Sequence, residues 1–279
     1  MYFTKREKKI AIFFNSKRGL FVYKKISNLF KVDIFIAKKN LNTEILIFLK
    51  RKKIKYTLIK KIDANLVKKI KNKNYDLLVS AGFPLIFSKE LINSSRFGTI
   101  NLHAGKLPSY RGGSPLNWQI INGEKKIGIS IIKMREEVDA GDIYASKNFR
   151  LFKKDNIKTV HEKSNFFFSK MTIDVINKIY LGIQPVPQKK IGTKNYRQRS
   201  EDDGLIYWNK LNAKETFNFV RALTKPYPGA FYFNKNNKKI KIYNCLVSKR
   251  NPRVLPGTIF FAKKQKFIKC KNFSIRLKS

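Results

Sequence analysis

An amide, an imidazole and a carboxylate carry the chemistry this chain could do: Asn101, His103 and Asp139, in the stretch NLHAGKLPSYRGGSPLNWQIINGEKKIGISIIKMREEVDAGD that runs from Asn101 to Asp142. His103 is one of 2 histidines in the chain. It follows Asn101 at the end of a short apolar run that begins at Gly98, and the period-two alternation of a strand sends both polar side chains to one face. An imidazole takes up and returns a proton near neutral pH. An Asn amide offers an N–H to an oxygen that turns negative in a tetrahedral intermediate. An Asp orients or charges the imidazole, or receives a proton through water. The blander alternative is a satisfied polar residue at a strand end, and a lone histidine does not separate the two.

These groups need neighbouring strand ends to bring them together. A loop of Gly, Pro, Ser and Arg (Gly105 to Gly113) follows His103. The pattern then predicts a short helix over Pro115 to Ile121, a strand over Ile127 to Met134 and an acidic loop carrying Asp139. Upstream, strands are predicted at Lys9 to Phe14, Val32 to Ala37, Tyr56 to Ile59 and Asp76 to Ala81. Helices alternate with them at Gly19 to Phe30, Thr43 to Lys53, Asp63 to Lys71 and from Ser88 to about Ser94, with caps expected at Asn42 or Thr43 and at Asp63. Such alternation argues for right-handed βαβ units, a largely parallel sheet and an α/β, Rossmann-like fold. Ligands of such sheets bind at the carboxyl ends of the strands, where Asn101, His103 and the loop Gly82 to Phe87 fall. The turn after the first strand, Asn15 to Gly19, holds no GxGxxG, which argues against a dinucleotide cofactor.

Beyond Ile143 the pattern predicts a strand over Tyr144 to Phe152 and a long helix over Ile157 to Leu181. The second histidine, His161, lies on that helix next to Glu162 and reads as structural. The segment Gln184 to Lys190 carries 2 prolines and reads as a linker, dividing a catalytic α/β domain (1–190) from a smaller β domain (196–279). The latter is expected to hold a helix over Ala213 to Leu223 and short strands at Ala230 to Phe233, Lys239 to Val247, Gly257 to Phe261, Phe267 to Cys270 and Phe273 to Leu277, a spacing that suits a small β-barrel.

The chain of 279 residues has a formal net charge of +43. The lysines are spread along the whole sequence and accompanied by Asn, Ile, Phe and Tyr, which share AT-rich codons, so base composition explains the charge without a partner. An anionic substrate would still be attracted. Cys245 and Cys270 lack metal-ligand spacing, so no metal is expected; a reducing cytoplasm is the simple reading and a disulfide stays open. The apolar run Ile10 to Phe14 is too short for a signal segment, and no run approaches a membrane span.

The stretch from Asn101 to Asp142 resembles the signature of the folate-dependent formyltransferases. It matches in Asn101-x-His103, Leu107-Pro108, Arg111-Gly112, Asn122-Gly123-Glu124 and Asp139-Ala140-Gly141. The resemblance implies Asn101, His103 and Asp139 as catalytic residues, N10-formyltetrahydrofolate as donor and a primary amine as acceptor. It also implies pterin contacts from Leu85, Ile86 and Phe87 and from Arg135, Glu136, Glu137, Val138 and Asp139. Gly113 stands where related amino-sugar enzymes often carry a second Arg. Arg111 could bind the glutamate tail of the folate or the acceptor, or cap its own loop.

The carboxyl-terminal part is also similar to that family, whose second domain is OB-like. The run Glu201 to Trp208, Arg221-Ala222 and Pro226 to Phe231 looks most like the formyltransferases of amino-sugar nucleotides. There Tyr227 or Phe231 could stack on a base and Arg221 could meet a phosphate; the alternative is that Pro226 to Phe231 is a rigid turn. The expectation is thus a cytoplasmic enzyme that formylates an amino-sugar nucleotide for surface polysaccharide synthesis, with no membrane partner and with room for a homodimer. The second expectation is a methionyl-tRNA formyltransferase acting on initiator tRNA. The third is a nucleic-acid-binding module on an inactive scaffold, against which the intact Asn101, His103 and Asp139 argue.

Overall fold

The computed structural model describes residues 8–189 and 192–277. Its amino-terminal elements alternate as expected: β1 (Lys9–Phe13), α1 (Lys17–Ile26), β2 (Lys31–Ala37), α2 (Thr43–Arg51), β3 (Thr57–Ile59), α3 (Ala64–Asn72), β4 (Leu77–Ser80), α4 (Lys89–Ile92) and β5 (Thr99–His103). There follow β6 (Arg111–Gly112), α5 (Pro115–Ile121), β7 (Lys126–Lys133), β8 (Ile143–Arg150), α6 (Ile157–Tyr180) and β9 (Asn195–Tyr196). After these come α7 (Ala213–Leu223), β10 (Ala230–Phe233), β11 (Lys239–Ile242), β12 (Cys245–Ser248), β13 (Ile259–Ala262), β14 (Gln265–Lys269) and β15 (Ser274–Leu277).

Contacts divide the chain into two compact units. Among the described residues, the first comprises 8–111, 128–148, 162–189 and 192–194, and the second 112–127, 149–161 and 195–277. The last crossing between them lies between Lys194 and Asn195. Two stretches ahead of that point belong to the second unit: α5 packs on α7, where the Asn117 amide donates to the carbonyl of Ala222 at 2.8 Å, and Arg221 of α7 donates to the carbonyls of Phe152 and Asp155.

The first unit is organised on a seven-stranded sheet in the order β3-β2-β1-β4-β5-β7-β8. Pairs β3–β2, β2–β1, β1–β4 and β4–β5 are parallel, and β7 joins β5 antiparallel. The central strands are apolar throughout, as a sheet covered on both faces requires: Ile10, Ile12, Phe13, Leu77, Leu78 and Val79 are all fully buried. Helices start where side chains satisfy their first backbone N–H groups. Asn42 accepts from Ile45 N and Asp63 from Leu66 N, caps that typically contribute ~1 kcal/mol each.

The turn after β1 is closed by Asn15 rather than by glycines. Its amide donates to the carbonyls of Ala37, Lys39 and Asn40 and its oxygen accepts from Ala37 N, tying the carboxyl ends of β1 and β2 together. A buried aromatic group centred on Phe13 continues from the core into the loop after β4. Phe35 stacks on it at 4.7 Å, and Phe83 and Phe87 meet it edge-on at 5.5 and 4.9 Å.

In the second unit, β12, β15, β14 and β13 form an antiparallel four-stranded sheet, and β10 and β11 form a separate pair. The single strand expected over Lys239 to Val247 is two strands, because it breaks at Tyr243 and Asn244 and its halves join different sheets. Among the described residues the ladders give a small antiparallel domain built from a four-stranded sheet and a strand pair. Cys245 and Cys270 are free and buried, and burial pushes the Cys245 thiol up to about 12.

Candidate active site

Strand β5 ends at the site. Its register places Asn101 beside Ser80 of β4 and Ile132 of β7, and His103 beside Ser130. Both side chains reach the same oxygen. Asp139 Oδ1 lies 3.2 Å from Asn101 Nδ2 and 3.2 Å from His103 Nδ1. The His103 and Asp139 side chains are only 5% and 8% exposed, so their mutual attraction is little weakened by water.

The other ring nitrogen, His103 Nε2, stands 2.6 Å from the carbonyl oxygen of Tyr110. A carbonyl only accepts, so Nε2 carries a proton and donates it. Nδ1 faces a carboxylate, and one proton must lie between that pair for the contact to be a hydrogen bond. The structure thus builds an imidazole–carboxylate pair that stores a proton, with Tyr110 fixing the ring plane. One N–H of the Asn101 amide is used on Asp139, and its second remains.

Glycines make this closeness possible. A Cβ on Gly105 would stand 2.2 Å from His103 Nε2 and 2.3 Å from the Tyr110 carbonyl. A Cβ on Gly141 would stand 1.7 Å from the carbonyl oxygen of Lys133, where the loop 134–142 returns to β7. Asp139 itself has φ +53°, a left-handed conformation that Asp and Asn tolerate better than most residues. Ser130 Oγ donates to the Gly105 carbonyl at 2.9 Å and holds the loop beneath the imidazole.

Beside Asn101 and Asp139 opens a cavity of about 170 Å³. Leu85, Ile86, Phe87, Arg135, Glu136, Glu137 and Val138, all expected at the pterin, lie on its wall with Asn101 and Asp139. Phe83, Ile92, Ile132 and Met134 complete its apolar side; Phe83 belongs to the expected loop Gly82 to Phe87, and the other three were not expected there. Phe87 is anchored in the core at 5% exposure, whereas Ile86 stands at the tip, 82% exposed. An apolar slot flanked by carboxylates and backbone suits a flat, polar-edged heterocycle. A larger cavity, 510 Å³, lies near the amino ends of β2 and β4 among Lys55, Lys69, Lys73 and Tyr75, away from Asn101, His103 and Asp139.

The residues expected at the acceptor have other partners. Arg111 donates from Nε and Nη2 to Gln188 Oε1 at 3.2 and 3.0 Å, and from Nη1 to Glu137 Oε1 at 3.2 Å. In the second unit, Arg221 donates to the carbonyls of Phe152 and Asp155 at 3.0 and 3.3 Å and to Asn218 Oδ1 at 3.0 Å. Its burial pushes the guanidinium below the usual range. Phe231 is 4% exposed within β10, which leaves no ring face for a base. Tyr227 is half-buried, its hydroxyl 3.1 Å from His161 Nε2. His161 therefore has a partner in its own unit. Asn122 and Gly123 form the carboxyl cap of α5, with Gly123 at φ +72°.

A sequence model of the formyl transferase family matches residues 10–176, and one of its C-terminal domain matches residues 199–279. The chain belongs to the formyl transferase family. A methionyl-tRNA formyltransferase of Thermodesulfovibrio yellowstonii is 36% identical over 204 residues, 73% of this chain and 64% of that protein. The chain thus aligns with slightly less than two thirds of that relative. A sugar N-formyltransferase from Shewanella sp FDAARGOS_354 matches in structure with a TM-score of 0.68 at 25% identity, covering 84% of this chain and 96% of that one. The N-formyltransferase from Helicobacter canadensis, solved with folinic acid and dTDP-3-aminofucose, shares the fold with a TM-score of 0.74 at 15% identity, over 97% and 99% of the two chains. Among the described residues no helix is long and apolar enough to cross a membrane, and no group of three acidic, His or Cys side chains could hold a metal.

Proposed function

We propose that this protein transfers a formyl group from N10-formyltetrahydrofolate to the primary amine of an amino-sugar nucleotide, in the cytoplasm and for surface polysaccharide synthesis. The observation that carries the transfer chemistry is the convergence of Asn101 and His103 on one Asp139 oxygen at the mouth of the apolar cavity. The folate supplies an activated formyl carbon, and the cavity between Phe83 and Val138 would hold its pterin. As the amine attacks that carbon, the second Asn101 N–H and the charged imidazole meet the oxygen that becomes negative. Asp139 takes the amine proton. Once protonated, it no longer needs the Nδ1–H of His103, which is then available to the same oxygen. The C–N bond to the acceptor forms, the bond to folate N10 breaks, and the proton held by the His103–Asp139 pair returns to N10.

The sugar acceptor is supported by the run Glu201 to Trp208 with Pro226 to Phe231, and by the 25% identity to the Shewanella enzyme across nearly that whole protein. A second reading, methionyl-tRNA as acceptor, is favoured by the 36% identity to the Thermodesulfovibrio protein; the +43 charge is compatible with it but does not distinguish it. One assay separates them. N10-formyltetrahydrofolate is offered with UDP- and dTDP-linked amino sugars beside charged initiator methionyl-tRNA, and products are read by mass spectrometry. A gain of one formyl group on a sugar nucleotide supports the first reading. Formylation of tRNA alone, with the steep salt dependence of phosphate contacts, replaces it with the second. Product with neither overturns both acceptors.

A further inference from the structure

Gln188 lies in the stretch after α6 that the sequence reads as linker. Its side chain is nevertheless used at both ends. Nε2 donates to the carbonyl of Asp139 at 2.8 Å and to that of Gly141 at 2.7 Å, while Oε1 accepts from Nε and Nη2 of Arg111. The third Arg111 contact, Nη1 to Glu137 at 3.2 Å, returns to the same loop. One amide and one guanidinium therefore clasp the loop 137–141 from behind.

That loop needs holding. Asp139 sits at φ +53°, a left-handed conformation that a residue with a side chain keeps where the surroundings over-determine it. The two carbonyls held by Gln188 bracket Ala140, so the clasp fixes the curvature of the backbone that carries the Asp139 carboxylate. That curvature sets the two 3.2 Å distances to Asn101 and His103.

We propose that Gln188, with Arg111 as its backing, is the positioning residue that places the Asp139 carboxylate against His103 for transfer. The proposal assigns the Arg111 guanidinium to the loop rather than to the folate tail or the acceptor. Its kinetic consequence rests on the formyl-transfer reading; its structural consequence at His103 does not.

Two variants of the full chain separate positioning from simple bracing. Gln188→Glu keeps an acceptor for Arg111 but has no N–H for the two carbonyls, and Gln188→Met loses both ends. With 2 histidines in the chain, imidazole NMR signals of histidine-labelled protein are assigned by one further variant, His161→Gln. Both Gln188 variants are expected to move the His103 signals at fixed pH and leave those of His161 in place. With the acceptor found in the assay above, kcat should fall by ~10–10² with little change in KM, the scale of a misplacement near 1 Å. Unmoved His103 signals in a folded Gln188→Glu protein overturn the proposal, even if the melting temperature drops. If the wild type formylates no acceptor, the transfer reading fails and the NMR comparison still decides the role of Gln188.

Discussion

Adding one methyl group at Gly105 should disable the site without touching a reacting atom. The Cβ of Gly105→Ala would stand 2.2 Å from His103 Nε2, 2.3 Å from the Tyr110 carbonyl and 2.8 Å from His103 Cδ2. Ordinary contact begins at 3.4 Å, so about 1.2 Å of movement is required. The new carbon wedges into the 2.6 Å hydrogen bond between Nε2 and that carbonyl. Neither partner retreats easily: His103 is 5% exposed in a strand paired on both sides, and Ser130 Oγ pins the Gly105 carbonyl. Gly105 is not among the positive-φ glycines, so the substitution acts through contact and not through backbone strain. Overpacking of this kind costs ~1–3 kcal/mol, which for a chain of this size lowers the melting temperature by roughly 2–12 °C. Turning the imidazole by about 1 Å should reduce kcat by ~10². Calorimetry measures the first effect and mass-spectrometric formyl transfer the second. A Gly105→Ala protein with wild-type kcat and melting temperature would show that the imidazole is not held by Tyr110 in the working enzyme.

Three further outcomes are expected. Asn101→Ala and His103→Ala should each lower kcat by ~10²–10³ in protein that still folds and binds folinic acid, with His103→Ala melting lower because it leaves the Asp139 carboxylate buried without its imidazole; normal turnover by either folded variant removes that residue from the mechanism. Asp139→Asn and Asp139→Ala should both lose transfer and both lose the buried pair with His103, but the Ala variant should be the less stable of the two by ~1 kcal/mol, because Asn tolerates φ +53°; equal melting temperatures of the two variants would show that the left-handed conformation is unstrained. The Arg197 guanidinium and the Ser200 backbone N–H hold the Asp203 carboxyl at about 2, below its ordinary 3.8. Its stabilising contribution is therefore complete above pH ~4 and is lost as pH falls toward about 2, so Arg197→Leu should flatten the acid limb of the unfolding curve, and an unchanged limb would refute the pairing.

Much of this site was legible because its order in the sequence is also its chemistry. Period-two alternation put Asn101 and His103 on one side of a strand, and both do reach one oxygen. Helix and strand alternated clearly enough to give the parallel sheet and the strand ends that carry the loops. Caps at Asn42 and Asp63 were readable because a capping side chain acts within three residues of itself. The break at Tyr243 and Asn244 was not, since an apolar, β-prone run looks the same whether it joins one sheet or two.

The sequence alone determined the fold class, the candidate side chains Asn101, His103 and Asp139 and the resemblance that located the loops around them, because those depend on local period and on residue type. Only the tertiary structure decided what occupies each remaining polar group. Arg111 and Arg221 have the chemistry to bind anions, yet distant backbone and amide oxygens take their N–H groups. Phe231 has the ring for stacking, but β10 buries it. Gln188, in a proline-flanked stretch with no motif around it, donates to the carbonyls of Asp139 and Gly141 and accepts from Arg111 because folding brings them together. Hydrogen bonds between residues 47 to 77 positions apart leave no periodic trace in the chain; they follow from where the sheet and its crossings carry the backbone.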